Sequence, residues 1–244
     1  MKIKIYQIYY SPQQYGLIQQ RFVPYYNPRA NRYLENQVML DCYQNGCYKD
    51  CDYFGVTSWR FGDKTRKSLD DISKFITRDG GRKDAYGFFI SEDRVQQHFL
   101  RHNMWRHATD KWHPSLFIEI GQKIFDALKL GVNILDLRMP IIYSNYWIAR
   151  PEIFQRYVSE LLLPAIRVME EDPAIRRLCY KNSSYHTLFK RPDIRKATKR
   201  SKPISLMQRM RLFGRPYFTY HPFICERLFS SWLAMNRKVR FKHI

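Results

Sequence analysis

A short group of aromatic and charged side chains follows an apolar run in the first quarter of the chain. Residues 53–65 read YFGVTSWRFGDKT, so Trp59, Arg60, Asp63 and Lys64 come directly after a predicted strand. Guanidinium and ammonium groups bind phosphate oxygens through charge-assisted hydrogen bonds, and an indole ring stacks on sugars and bases. The stretch is therefore either the solvated end of a strand or one wall of a site for an anionic ligand.

Two carboxylates are candidates for accepting a proton. Glu226 lies in the predicted helix YHPFICERLFSSWLAMN, where Phe229 and Leu233 share its face. Apolar neighbours desolvate a carboxylate and raise its pKa, which would suit Glu226 to general base catalysis; a structural glutamate paired with an arginine is the alternative. Asp84, at the start of the predicted strand DAYGFFI, is the second candidate for the base.

The residue spacings predict no metal site. His98 and His102 are four residues apart, but no glutamate completes an H-E-x-x-H pattern. Asp50 and Asp52 form a D-x-D pair that precedes a predicted strand, whereas ligands of open α/β sheets bind beyond the carboxyl ends of the strands. Glycine-rich phosphate-binding motifs are also absent. Arginine and lysine would therefore have to neutralise a bound diphosphate.

The net charge of the chain indicates an anionic partner. Its 244 residues include 42 Lys and Arg against 22 Asp and Glu, for a formal charge of +20. Residues 190–215 contribute ten of the cations and one aspartate. Nucleic acid, anionic lipid headgroups and a phosphate-bearing substrate are the partner classes that such a charge favours.

The order of predicted elements indicates an α/β fold. Strands and helices alternate along the first two-thirds of the chain, which is typical of an open, mostly parallel sheet flanked by helices, followed here by a helical C-terminal part. We expect one domain over 1–244, with 190–215 as a basic loop within it. Strands are predicted at 3–10, 52–59, 84–90 and 139–149, and helices at 33–43, from Ser68, from Ser91, at 115–130, from Pro151 with a kink at Pro164, and from near Pro222.

Several blocks, taken in order, resemble a known family. They are KIYQIYYSPQQ, VPYYNPRANRYLEN, YFGVTSWRFGDKT, DAYGFF, WHPSLFIEIGQKIF, YSNYWIARPEIFQRYV and YHPFICERLFSSWL. These blocks are similar to glycosyltransferases with a GT-A-like core that occur in bacterial capsule and surface-polysaccharide clusters. The resemblance covers most of 1–170 and 217–236. It implies transfer of a sugar from a nucleotide sugar to a lipid-linked or other glycan acceptor. Many GT-A enzymes use Mn²⁺ or Mg²⁺, so either ion is a possible cofactor here.

The resemblance implies a role for each candidate residue. The diphosphate of the donor is expected at Arg60 and Lys64, with Trp59 stacked on a sugar or base. Glu226, or alternatively Asp84, would be the base for the acceptor hydroxyl. The remaining donor-binding residues are expected near the base and ribose (Tyr6, Gln7, Tyr9) and near the transferred sugar (Ser144, Asn145, Tyr146).

The expected location is the cytoplasm, at the inner face of the cell membrane. The N-terminus reads as a strand rather than a signal peptide, and no apolar run approaches the roughly 20 residues that span a bilayer. Each cation near an anionic surface adds about 1 kcal/mol of binding free energy, so the basic loop could dock reversibly on lipid. The cations concerned are Lys190, Arg191, Arg195, Lys196, Lys199, Arg200 and Lys202.

Two other functions remain open from the sequence. A nucleic-acid-binding protein would share the charge and the aromatic content of 16%. It is less favoured because no helix-turn-helix, zinc finger or RNP-type pattern occurs and the charge is concentrated in one loop. A non-catalytic relative, which keeps the fold as the partner of another transferase, is the third interpretation.

Overall fold

In the computed structural model, which describes residues 1–90, 102–111, 113–184 and 205–244, the strands form one open sheet. Its order is β2-β1-β3-β5-β4-β6, and β5 alone among these six described strands runs against the others. The predicted α/β class and mostly parallel sheet are therefore confirmed. The strands are β1 (Ile3–Tyr9), β2 (Val23–Tyr26), β3 (Tyr53–Ser58), β4 (Ala85–Gly87), β5 (Trp147–Ala149) and β6 (Phe241–His243).

Helices cover both faces of the sheet, with a helical C-terminal part as predicted. They are α1 (Pro12–Tyr15), α2 (Glu35–Gln44), α3 (Phe61–Thr65), α4 (Leu69–Arg78), α5 (Met104–Lys111), α6 (Leu116–Ala127), α7 (Pro151–Tyr157), a π-helical segment (Val158–Leu162), α8 (Leu163–Glu171), α9 (Pro173–Cys179), α10 (Leu206–Phe213) and α11 (His221–Met235). Among these described helices, none has the length and apolar character needed to cross a membrane.

Two apolar layers hold the helices to the sheet. The larger layer contains Val38 of α2, Phe154 of α7 and Trp232 of α11, packed on Phe54 of β3. The smaller layer, on the other face, holds α3 and α4 through residues such as Ile72. All six residues of β3 are buried, as expected for a central strand covered on both faces.

Local signals predicted several helix ends correctly. Ser68 caps α4, and its side chain and that of Asp71 form a reciprocal capping box. Pro151 occupies the first turn of α7, as predicted. Before Pro164, where the sequence predicts a kink, the helix has a π-helical segment that ends at Leu162. Proline has no N–H and its ring crowds the carbonyl four residues back, so the preceding turn widens.

The predicted strand 139–149 is wrong over most of its length. Only Trp147–Ala149 is a strand, because Ser144 and Asn145 have φ angles of 57° and 55° and turn the chain just before it. The predicted start of a helix at Ser91 lies outside the described residues; within the same block, α5 begins at Met104.

Candidate functional site

The carboxyl edge of the sheet, where β1, β3 and the other parallel strands end, brings together residues from four parts of the chain. Trp59 and Arg60 follow β3, and α3 then carries Lys64. Because β5 is antiparallel, the turn that precedes it lies at this edge, opposite the end of β3. Helices α2 and α11 contribute one carboxylate each. We refer to this group as the edge cluster.

A chain of polar contacts links Lys64 to α11. The ammonium of Lys64 donates to Oγ of Ser144 at 2.9 Å, and the backbone N–H of Ser144 donates to Oε1 of Glu226 at 2.6 Å. Arg227 donates from Nη1 to the other carboxylate oxygen at 2.8 Å. The side chains of Glu226 and Arg227 are 18% and 4% exposed, so they form a largely buried ion pair.

The structure thus contains the arginine partner that the sequence left as an alternative for Glu226. Both oxygens of this carboxylate are engaged, one by Arg227 and one by the Ser144 amide. In this arrangement Glu226 fixes the turn that presents Ser144 to Lys64. Glu226 thus belongs to the edge cluster.

Glu35 is the second carboxylate of the cluster, and no sequence pattern singled it out. It is the first residue of α2, where it looks like an ordinary acidic residue favoured by the helix dipole. Burial raises its pKa; the nearby charge of Lys64 opposes this shift, and the charge of Glu226 adds to it. A desolvated carboxylate with a raised pKa is a candidate proton acceptor.

Tyr146 forms the floor beside these charges. Its hydroxyl lies 2.7 Å from Oγ of Ser58 at the end of β3, and its ring lies 5.3 Å from the Lys64 ammonium. Burial raises the pKa of the Tyr146 hydroxyl, so it stays protonated as a hydrogen-bonding group. Buried Asn145 belongs to the same turn, and its Oδ1 has no hydrogen-bond partner within the described residues.

Arg60 and Trp59 lie together at the rim. The Arg60 guanidinium is 5.8 Å from the Trp59 ring, and its buried Nε finds no hydrogen-bond partner in the described ranges. The Arg60 guanidinium and the Lys64 ammonium of the same segment make this edge cationic, which suits an anionic ligand.

The first strand contributes unequally to the site. Tyr9 ends β1 within an aromatic group, stacked on Tyr26 at 5.1 Å and 5.4 Å from Tyr15, both of which are largely exposed. Tyr6 instead packs inside against Tyr25 and Phe54. Gln7 is fully buried; its side chain bonds the Ser58 and Trp59 carbonyls and the Gln19 amide.

The structure does not bring Asp84 to the edge cluster. Asp84 directly precedes β4 at the amino edge of the sheet, where Arg240 donates to its carboxylate at 2.8 Å and Arg150 lies 3.8 Å away. These contacts hold the pKa of Asp84 below its usual range. A paired carboxylate at the opposite edge cannot share a ligand with Lys64.

The residues of the edge cluster do not fit a divalent cation. Asp52 precedes β3 and accepts the Lys2 amide at the amino edge, so the D-x-D pair is remote. Glu35 and Glu226 face Lys64 and Arg227 rather than further oxygen donors. Within the described ranges, no group of three His, Cys, Asp or Glu residues could hold a metal.

Comparisons with known proteins identify no family. No protein-family model matches the chain, and no curated protein matches it. Among solved structures, the chain is similar to the apo structure of WbbM, a bifunctional glycosyltransferase, with 14% identity and a TM-score of 0.45. The match covers 100% of this chain and 44% of that one, so the chain spans under half of that protein's length. A likeness at this level defines neither a family nor an activity.

Proposed function

We propose that the chain is a glycosyltransferase that moves a sugar from a nucleotide-sugar donor to a lipid-linked or other glycan acceptor of a surface polysaccharide. The observation that supports this proposal is the edge cluster, in which Glu35, Lys64 and Glu226 come together at the carboxyl edge of an α/β sheet. That edge is where open α/β sheets bind their ligands.

The cationic rim supports binding of the donor's diphosphate. Lys64 and Arg60 supply the positive charge that a metal would otherwise bring, and bonds from guanidinium and ammonium groups to phosphate are strong. Tyr9, with Tyr15 and Tyr26, offers exposed aromatic faces on which the base can stack. In this proposal Trp59, at the rim, stacks on the sugar or the base.

Transfer needs one proton acceptor and one site for the departing charge. The acceptor oxygen forms a bond to the anomeric carbon of the donor sugar, and the bond from that carbon to the diphosphate oxygen breaks. Glu35 accepts the proton from the acceptor hydroxyl, since its carboxylate lacks the arginine that engages Glu226. Lys64 and Arg60 stabilise the negative charge that develops on the leaving diphosphate. Glu226 holds the 144–145 turn against Lys64.

The first test is binding of candidate donors. UDP-, GDP-, dTDP- and CMP-linked sugars, each with and without Mn²⁺, are screened by thermal shift and by release of the nucleotide. A donor at ~100 Kd should stabilise the protein by about 2.7 kcal/mol. If no donor raises the Tm or loses its sugar, the proposed function is wrong.

Single-residue variants then test whether the edge cluster is the active site. Lys64→Ala should lower kcat/KM for the active donor by about a hundredfold, because a preorganised positive charge at the leaving group is lost. Lys74→Ala, which removes an exposed lysine of α4, is the matched control and should keep full activity. Equal activity of the two variants would remove Lys64 from the mechanism.

A further inference from the structure

Helix α10 exposes apolar side chains that the proposed function does not use. Leu206, Met207 and Met210 are 56%, 83% and 49% exposed. The helix has defined ends, with a capping box at Ser205 and a left-handed C-cap at Gly214. Large exposed apolar side chains grouped on a short ordered helix mark an interaction surface.

A cationic cleft of about 940 Å³ lies beside this helix. Six basic residues and no carboxylate are among its lining residues, which also include Tyr180. The guanidinium groups of Arg32, Arg176 and Arg215 lie 5.2, 6.0 and 5.8 Å from the Tyr180 ring. The six basic residues are Arg32, Arg176, Arg177, Lys181, Arg211 and Arg215.

Within the part of the chain that the structure describes, most of this charge is not neutralised by a carboxylate. Arg32 is paired with Glu170, whereas the other five basic residues make no ion pair with any described residue. Arg176, Arg177, Lys181, Arg211 and Arg215 are all exposed. Like charges held this close repel one another, so the cleft favours an anion with several charges.

We propose that α10 and the cleft form a docking surface for an anionic phospholipid bilayer. The apolar side chains of Leu206, Met207 and Met210 enter the interfacial region, and lipid phosphates lie in the cleft. The presence of exposed apolar side chains next to a cationic cleft favours a bilayer over other anions. Nucleic acid or a soluble phosphate could bind the cations, but neither provides an apolar phase for the leucine and methionine side chains.

The docking surface is continuous with the edge cluster through one short segment. Asn31 and Arg32 line the cleft, and Glu35 begins α2 three residues later. A membrane bound at the cleft would therefore contact the chain close in sequence to Glu35. The inference goes beyond the proposed function, because membrane binding is measured without any sugar donor.

The test is co-sedimentation of the full chain with phosphatidylcholine vesicles that contain or lack phosphatidylglycerol. We expect binding to the anionic vesicles alone, and release by added salt. Leu206→Ser with Met207→Ser should weaken vesicle binding by roughly a hundredfold, about tenfold for each side chain. Arg177→Ala with Lys181→Ala should weaken it by about 25-fold, a factor of about five for each cation.

Matched controls separate this surface from general charge and hydrophobicity. Leu17→Ser removes an apolar side chain that is 50% exposed elsewhere, and Arg237→Ala with Lys238→Ala removes two exposed cations near the amino edge. Both controls should bind vesicles like the wild type. Thermal unfolding of every variant verifies its fold, and all the substituted positions are exposed.

Three results would overturn the proposal. The first is vesicle binding that both double variants retain in full, which would place docking elsewhere on the chain. The second is a loss of binding in the charge variant alone, together with full competition by inorganic pyrophosphate, which would assign the cleft to a soluble phosphate. The third is binding to duplex or single-stranded oligonucleotides, but not to vesicles, that the cleft substitutions abolish.

Discussion

Glu35 combines two properties that are common at functional sites. Its carboxylate is desolvated, and its backbone follows Leu34, whose φ of 49° is unusual for leucine. Strained or desolvated residues persist where the surrounding structure holds them, and they concentrate at functional sites. Glu35 should therefore be valuable for chemistry and unfavourable for stability.

Glu35→Gln should separate these two effects. Since the folded pKa is raised, the folded state keeps the Glu35 proton to higher pH than the unfolded chain does. The unfolding free energy therefore falls as pH rises through this folded pKa. The neutral glutamine should raise the Tm at neutral pH, with a smaller gain in acid, and should lower kcat by about 10² or more. Thermal unfolding over a pH series and the donor assay measure both.

A loss of stability in Glu35→Gln at neutral pH would show that the carboxylate is structural. Asp41→Asn, in the same helix, is the matched control for removal of an acidic charge from α2 and should leave kcat unchanged. Asp41 is bonded to Tyr25 and Gln37, away from Lys64.

For single residues, the position of the cations in the fold could be inferred from the sequence more readily than that of the carboxylates. Trp59, Arg60 and Lys64 follow a strand whose apolar run is visible, so their edge of the sheet could be inferred. Glu35 gave no such signal, because an acidic residue in a first helical turn is common. The role proposed for Glu35 depends on Lys64, which is 29 positions later in the sequence and comes near it only in the folded chain.

Among the elements, the pairing of β3 with β5 sets the geometry of the candidate site. Gly55 lies opposite Ile148 in this pairing. A Cβ at Gly55 would come within 2.6 Å of the Ile148 side chain and 2.7 Å of the Trp147 carbonyl oxygen. The carbonyl is part of the ladder and cannot move away without loss of the register.

Gly55→Ala should consequently destabilise the protein by about 2–3 kcal/mol or more, as overpacking of a rigid core does. Gly16→Ala is the control, since it has open space around its Cβ site and a φ of −64°. That substitution should be neutral or slightly stabilising. Chemical unfolding of both variants decides the point; similar losses in the two would contradict the role given to the β3–β5 contact.

The first residue of a helix could be predicted from the sequence where a single side chain determines it. Ser68 and Pro151 mark helix starts because capping and the missing proline N–H are local effects. The direction of β5 and the shortness of that strand were not predictable in the same way. Both depend on the left-handed backbone conformation of Ser144 and Asn145 and on pairing with β3 and β4, which are far away in sequence.

For the whole molecule, two buried histidines should set the response to acid. Burial lowers the pKa of His113 to about 3, with the charge of Arg227 adding to the effect. Burial also lowers the pKa of His221 to about 3, with the charge of Arg32 adding to it. In the unfolded chain both would titrate near 6.5, so only that chain takes up protons between these values.

The unfolding free energy should therefore decline as pH falls from 6.5 toward 3. Each histidine contributes a slope of about 1.4 kcal/mol per pH unit in this window. His221→Gln should reduce the slope by that amount, because the glutamine takes up no proton. Urea unfolding at a series of pH values measures the difference, and identical slopes would refute the account.

The fold class was the feature of the molecule that the sequence predicted best. Alternation of strands and helices indicated an α/β sheet, and this followed from periodicity summed over many residues rather than from any one contact. The placement of charge was partly predictable. The sequence pointed to 190–215, of which 190–204 lies outside the described residues, whereas the cationic cleft draws on Arg32, Arg176 and Arg177, which no local run of charge reveals.

The left-handed turn at Ser144 and Asn145 has a consequence for protein engineering. Glycine relieves left-handed backbone at little steric cost, so a selection for heat resistance would favour glycine at Ser144. The Ser144→Gly substitution also removes the hydroxyl that accepts a hydrogen bond from the Lys64 ammonium. A thermostability programme applied to this chain would thus remove a polar contact of the edge cluster, and libraries should hold Ser144 fixed.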